Sequence, residues 1–324
     1  MKRMKRISEL LDENVHSVGI AGHVRPDGDS VGTCMGLYLY LKQEYPQLAV
    51  DVYLDHPKQD FAYIQNFDEI QMEADDTKVY DLFITCDVSS LDRIGLAETM
   101  FANAKKTFCL DHHISNQGFA DINHVEGEVS SASEVLYTLL DPEKVTQPVA
   151  VAIYTGMIHD TGVFQYSSTT PRTMEIAAKL MATGFDFSKI IDESFYQKSY
   201  LQNQVMGRVL TESILFLHGT CIAGIVRKRD MDFYHVDGKD LDGIVSQLRL
   251  TKGVEVAVFI YEHDPMQYKV SMRSNHVVDV SRIAAFFGGT EEDSGFLPGG
   301  YERSGRHHRP AQDHKRCRVC DLSL

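Results

Sequence analysis

The sequence predicts an α/β fold: an N-terminal, mostly parallel sheet flanked by helices, followed by a smaller C-terminal α/β domain. Three observations carry this expectation. Short apolar runs that end at polar residues alternate with stretches of helical spacing through the first half of the chain, the pattern of strands joined by crossover helices. A second, β-rich group of runs begins near residue 217, and two of its strands are consecutive. Between the two groups, residues 186–216 read as helix, a connector.

In chain order, Ile7, Leu10, Leu11 and Val15 fall at helical spacing behind a basic start, so an amphipathic first helix is expected rather than a signal peptide. Strands follow at 18–22, 49–54, 80–87 and 106–111, with helices at 30–45, 131–140, 147–158 and 171–183. The later group holds strands at 220–227, 254–262 and 268–274 and helices at 239–250 and 279–287. The expected divisions are a first domain over 1–187, a helical connector over 188–216, a smaller domain over 217–289 and a tail over 290–324. In the tail apolar residues fall to nine of thirty-five, and Gly, Pro, Arg and His replace any periodicity. A packed structure is not expected there.

Bulk properties exclude several classes. No apolar stretch approaches bilayer length, and the expected location is the cytoplasm. The net charge of −14 argues against broad binding to long nucleic acid. Cys34, Cys86, Cys109 and Cys221 sit inside apolar runs and read as reduced core residues.

The chemistry is concentrated at element ends. His23, Asp27 and Asp29 share one loop directly after the first strand, and Asp87 closes a later one. Asp111, His112 and His113 close another strand, and Asp160 follows an apolar helix in GMIHDTGVF. In parallel α/β sheets ligands bind beyond the carboxyl ends of the strands. Each cluster alone would read as a turn or a cap. Their coincidence at one edge of a sheet points to a metal site, with His plus carboxylates suiting Mn²⁺, Fe²⁺, Co²⁺ or Zn²⁺ and the many oxygens favouring Mn²⁺ or Mg²⁺. Ser130, Ser131 and Ser133 precede a helix and read as N-caps, or as a helix start facing phosphate. His159 reads as a packing or surface residue.

HVRPDGD at 23–29, the strand ending at Asp87, DHH at 111–113 and DTG at 160–162 resemble, in order and spacing, the four motifs of the DHH phosphoesterase superfamily. VSMRSNHVVDVSRIAAFFGG at 270–289 resembles its C-terminal DHHA1 domain. The group resembled is that of the bacterial nano-RNase A enzymes, bifunctional oligoribonucleases and phosphoadenosine phosphate (pAp) phosphatases. The resemblance implies two divalent metal ions, Mn²⁺ first among them. One would be held by His23, Asp27 and Asp87, and the other by Asp29, Asp87, His112 and Asp160. It implies that Asp111 orients the neighbouring imidazole, that His113 contacts the scissile phosphate, and that Arg273 and Ser274, with Gly288 and Gly289, bind the substrate's terminal phosphate. The activity implied is hydrolysis of short oligoribonucleotides to mononucleotides and removal of the 3′-phosphate from pAp. The partners are then short oligoribonucleotides or small nucleotides, without long nucleic acid or membrane, and a homodimer is compatible with the reading. Alternatives are a cyclic or linear dinucleotide phosphodiesterase, an inorganic pyrophosphatase, or a degenerate nucleotide-binding protein without turnover.

The pattern breaks after Gly289. The resemblance calls for a GGGH motif, whereas this chain continues Thr290, Glu291, Glu292. Codons for Thr290–Phe296, read one base later, can encode Gln-Lys-Lys-Thr-Ala-Gly, which fits the family, so the tail is expected to be a shifted-frame product. Carboxylates at 291 and 292 would repel a phosphate, and impaired substrate capture is expected. Cys317 and Cys320 have C-x₂-C spacing, with His307, His308 and His314 before them. A zinc knuckle is the competing reading of that segment.

Overall fold

A computed structural model describes residues 6–264, 267–287 and 316–323 of the chain. It divides into two compact units, with the break between Tyr196 and Gln197.

The first unit is built around β1 (Ser17–Ala21), α1 (Gly28–Glu44), β2 (Ala49–Tyr53), β3 (Leu82–Cys86), α2 (Glu98–Asn103), β4 (Thr107–Asp111), β5 (Ile122–Val125), α3 (Ala132–Leu139), α4 (Gln147–Asp160), α5 (Pro171–Met181) and α6 (Phe187–Ile191). The five strands form a wholly parallel sheet in the order β2-β1-β3-β4-β5. The chain runs outward from β1 to β2 and returns to β3 on the other side of β1. This reversal opens a crevice beyond the carboxyl ends of β1 and β3, where open α/β sheets bind ligands. His23 and Asp87 lie just past those two strands.

Strands β3 and β4 are buried along their whole length, as expected of parallel strands covered on both faces. Helix α1 is buried through most of its length, from Gly28 to Leu41, and its apolar residues run round the cylinder rather than along one stripe. It packs against α4 through a glycine contact. A Cβ on Gly32 would lie 2.5 Å from the Ala152 carbonyl oxygen and 2.6 Å from the Gly156 nitrogen, so only glycine permits this approach. The contact brings the start of α1 beside the last turn of α4.

The second unit comprises α7 (Tyr200–Glu212), β6 (Ile214–Phe216), β7 (Cys221–Val226), α8 (Lys228–Tyr234), α9 (Ile244–Arg249), β8 (Val256–Asp264), β9 (Gln267–Ser274), α10 (Val280–Phe286) and β10 (Arg316–Ser323). Its sheet runs β10-β9-β8-β7-β6, with β7 and β8 parallel and the other pairs antiparallel. Val205, Val209, Ile222, Val226, Leu248 and Phe259 form its centre.

Several elements differ from expectation. Among the described residues, the N-terminal helix is only a 3₁₀ turn, Ile7–Leu10, with Ile7 and Leu10 buried. The helix read over 186–216 is interrupted. Asp186 caps α6, a π-turn follows at Asp192–Tyr196, and a capping box of Ser199 and Gln202 starts α7. The helix read over 239–250 is a 3₁₀ turn and α9, separated by Gly243 at φ +90°. In the tail, β10 pairs antiparallel with β9, Arg316 opposite Arg273 and Val319 opposite Val270. Arg316-Cys317-Arg318-Val319 alternates polar and apolar, a short period-two signal. Gly288, Gly289, the stretch 290–315 and with it His307, His308 and His314 lie outside the described residues. Among the described residues no helix is long and apolar enough to cross a membrane.

Candidate metal centre

Asp27 is the N-cap of α1, its Oδ1 accepting from the backbone N–H groups of Asp29 at 3.0 Å and Ser30 at 3.1 Å. An Asp at this position satisfies orphan amides of the first turn. The same oxygen lies 3.7 Å from His23 Nε2. The Nδ1–H of His23 donates to its neighbour's carbonyl, Val24 O, at 2.8 Å, which turns Nε2 inward, 3.5 Å from Asp87 Oδ2. Burial opposes a charge on this imidazole, but Asp27 and Asp87 outweigh it and hold the group well above its usual range.

Asp87 stands at φ +59°, a left-handed conformation that Asp tolerates better than most side chains. Its N–H donates to Leu110 O at 2.9 Å, which fixes it to β4. Its Oδ1 is buried without a hydrogen-bond partner. That oxygen sits 3.6 Å from His112 Nε2 and 3.7 Å from His113 Nδ1.

Asp29, in the first turn of α1, reaches across to the start of α3. Its Oδ2 accepts from Ala132 N at 2.6 Å, and its Oδ1 accepts from Ser133 N at 3.0 Å and Thr33 Oγ1 at 3.2 Å. Burial and the charges of Asp87 and Asp27 push this carboxyl well above the ordinary range. The α3 amides therefore hold Asp29 rather than face a phosphate. Ser131 is the α3 N-cap, accepting from Glu134 N at 3.0 Å.

His112 donates from one ring nitrogen to the Val129 carbonyl. Its Nε2 lies 3.3 Å from Asp160 Oδ2 and 3.9 Å from Asp29 Oδ2. Burial and the neighbouring His113 keep its pKa low, so it is available as a neutral donor. Asp111, fully buried, accepts from His113 Nδ1 at 2.7 Å, from His112 N at 2.8 Å and from Asn116 Nδ2 at 2.7 Å. The imidazole that Asp111 holds is thus that of His113, while His112 is held by Val129. Burial favours the neutral acid, but His113 and His112 overcome it and keep Asp111 below the usual carboxylate range.

Asp160 ends α4. The chain leaves it through three left-handed residues, Gly162, Val163 and Phe164, a strained course for a β-branched residue. Bonds from Val163 N to Ile158 O at 2.7 Å and from Phe164 N to Thr161 Oγ1 at 2.9 Å hold the turn. His159 packs its ring edge-on against Phe61 and Phe195 and bonds Ser194 Oγ at 3.1 Å.

The donor atoms fall into three overlapping groups, each within 4.8 Å: His23, Asp27 and Asp87; Asp29, His112 and Asp160; and Asp87, His112 and His113. Four carboxylates crowd imidazole nitrogens here. The raised Asp29 and the buried Asp87 Oδ1 without a hydrogen-bond partner mark crowded negative charge, and this donor set suits hard or borderline divalent ions. Arg273 and Ser274 lie on β9 of the second unit, Ser274 buried. Thr33, Ser133 and Gly156 are additional parts of the site. A Cβ on Gly156 would lie 2.6 Å from Asp29 Oδ1. Only the serine cluster before α3 gave any sequence signal for them.

The DHH family's N-terminal domain matches residues 17–157, from β1 to within three residues of Asp160. The chain carries a DHH-family N-terminal domain. Relatives extend the similarity past this DHH domain into the second unit. The bifunctional oligoribonuclease and PAP phosphatase NrnA of Thermus thermophilus is 27% identical over 293 residues, 89% of this chain and 85% of its own. The NrnA of Bacillus subtilis is 26% identical over 259 residues, 78% of this chain and 79% of its own. The crystal structure of an exopolyphosphatase-related protein from Bacteroides fragilis superposes with a TM-score of 0.78 at 25% identity, covering 86% of this chain and 85% of that one. The match to the DHH domain and the similarity to these relatives support a phosphoesterase hydrolase.

Proposed function

We propose that this DHH protein hydrolyses short oligoribonucleotides to mononucleotides and removes the 3′-phosphate of pAp, with two divalent ions, Mn²⁺ first, at the centre described above. The observation that carries the reading is Asp87. Its two oxygens face different imidazoles, His23 from Oδ2 and His112 from Oδ1, and Oδ1 has no hydrogen-bond partner. One carboxylate placed between two donor groups is the arrangement of a bridging ligand. His23, Asp27 and Asp87 would hold one ion, and Asp29, Asp87, His112 and Asp160 the other. Bound there, such ions lower the pKa of water and neutralise charge developing on phosphate oxygens.

The chain's own groups supply the rest. The Val24 carbonyl keeps the proton of His23 on Nδ1, and the Val129 carbonyl does the same for His112, so each presents Nε2 to the centre. His113, fixed by Asp111 through Nδ1–H, leaves Nε2 for the scissile phosphate, to which it donates in the doubly protonated form. Arg273 and Ser274 supply donors suited to a terminal phosphate. The names of the Thermus and Bacillus relatives support oligoribonucleotide and pAp as the substrates.

The test is turnover of a 5′-phosphorylated dinucleotide and of pAp by metal-stripped protein with Mn²⁺ restored. Mononucleotide from the first and phosphate from the second are expected, both abolished by chelator. Full turnover in excess chelator, or none on either substrate with metal present, would overturn the proposal.

A further inference from the structure

We infer that Glu134, which touches no candidate ligand itself, is a positioning residue that sets the affinity of the ion held by Asp29, His112 and Asp160; the inference rests on the metal reading above. Glu134 stands in the first turn of α3 with its carboxylate fully buried. A buried carboxylate is costly unless paired and hydrogen-bonded. Here Ser130 Oγ donates to it at 2.5 Å and Thr173 Oγ1 at 2.7 Å, and Arg172 Nε lies at 3.1 Å. Arg172 also reaches Glu126 Oε2 at 3.3 Å, and Glu126 Oε1 lies 3.2 Å from His124 Nε2.

These contacts converge on one loop. Glu126 N donates to Asp111 O at 3.0 Å, anchoring the loop's first residue to β4. Val129, next to the Ser130 that Glu134 grips, offers its carbonyl to His112. Ala132 and Ser133, on the other side of the Ser131 cap, give both amides to Asp29. Glu134 therefore clamps residues 130 and 131 between the group that orients one ligand and the groups that orient another. Groups behind metal ligands typically change metal affinity by about 10–100-fold when removed. A carboxylate serving only to dock α5 on α3 would change stability and leave affinity alone.

The experiment titrates the metal-stripped full chain with Mn²⁺ by calorimetry and by electron paramagnetic resonance, with circular dichroism and the thermal midpoint measured without metal. Asp29→Asn identifies which binding step belongs to the Asp29 site. Glu134→Gln keeps the size and removes the charge. It is expected to weaken the Asp29-dependent step at least tenfold, on the scale of such groups, and the other step less than threefold. Thr173→Val, which removes one donor to Glu134, is expected to weaken the same step by about threefold, toward the low end of that scale. Wild-type affinity at both steps in folded Glu134→Gln overturns the inference, whatever happens to the midpoint. If Glu134→Gln does not fold, Thr173→Val and Arg172→Gln decide, and wild-type affinity in both overturns it. A wild-type chain that binds no Mn²⁺ sinks the metal reading itself, and this inference with it.

Discussion

Gly156→Ala sets two effects of known size against each other. In an ordinary helix interior the change would stabilise by about 1 kcal/mol, because alanine is the better helix former. At this position the new Cβ would sit 1.9 Å from Ser133 Oγ, 2.8 Å from Ser133 Cβ and 2.6 Å from Asp29 Oδ1. A rotamer change could remove the hydroxyl, but the Ser133 Cβ and the Asp29 oxygen must each retreat by roughly 0.6–0.9 Å to reach ordinary contact. That retreat breaks the bonds from Ser133 N and Thr33 Oγ1 to Asp29 Oδ1, now 3.0 and 3.2 Å long. Leaving these two buried donors unsatisfied costs about 1–3 kcal/mol each, so about 2–6 kcal/mol is at stake against the gain of about 1. Net destabilisation of about 1–5 kcal/mol is expected, together with weaker metal binding. Urea unfolding without metal and Mn²⁺ calorimetry measure the two parts. A variant as stable as wild type with unchanged Mn²⁺ affinity would refute the reasoning.

Asp87→Asn should retain the fold, since Asn also accepts a left-handed backbone. It should cost at least about a hundredfold in kcat/KM, or about 2.7 kcal/mol; activity within threefold of wild type contradicts the bridging role. In chelated protein the raised pKa of His23 contributes stability below its unfolded value of about 6.5, and that contribution is lost as pH rises through the folded value. Asp29, also raised, acts with the same sign. The thermal midpoint without metal should therefore fall as pH rises above about 6.5, while the Mn²⁺-loaded protein should not show this loss; a metal-free midpoint that rises with pH there contradicts the charge assignment. Arg273→Ala should raise KM for a dinucleotide while leaving Mn²⁺ binding unchanged, and a changed metal stoichiometry would show the assignment to be wrong. Dinucleotides should be degraded far faster than long single-stranded RNA, because a net charge of −14 gives no electrostatic track for a long backbone; equal rates would count against the substrate proposal.

The parts of this molecule that were legible in the sequence are those governed by local rules. Apolar runs mark β1, β3 and β4 to within two residues, and the acids and imidazoles at their ends group together because parallel sheets gather strand ends. Strand β5, at Ile122–Val125, is too short and too polar to stand out. The break between α6 and α7 depends on caps at Asp186 and Ser199 that an apolar count passes over. Within the site, contacts between distant residues were the hidden part. Asp29 meets Ser133 across 104 residues and Glu134 meets Thr173 across 39, and no local pattern announces either. The pairing of Asp111 with His113 instead of His112 turned on which ring the β4 end points inward.

The measurement that bears most directly on the central claim is anomalous diffraction from crystals of the full chain grown with Mn²⁺. Two peaks are predicted, one among His23, Asp27 and Asp87 and the other among Asp29, Asp87, His112 and Asp160, with Asp87 common to both. Peaks outside these residues, or a centre in which Asp87 touches neither ion, would contradict the account.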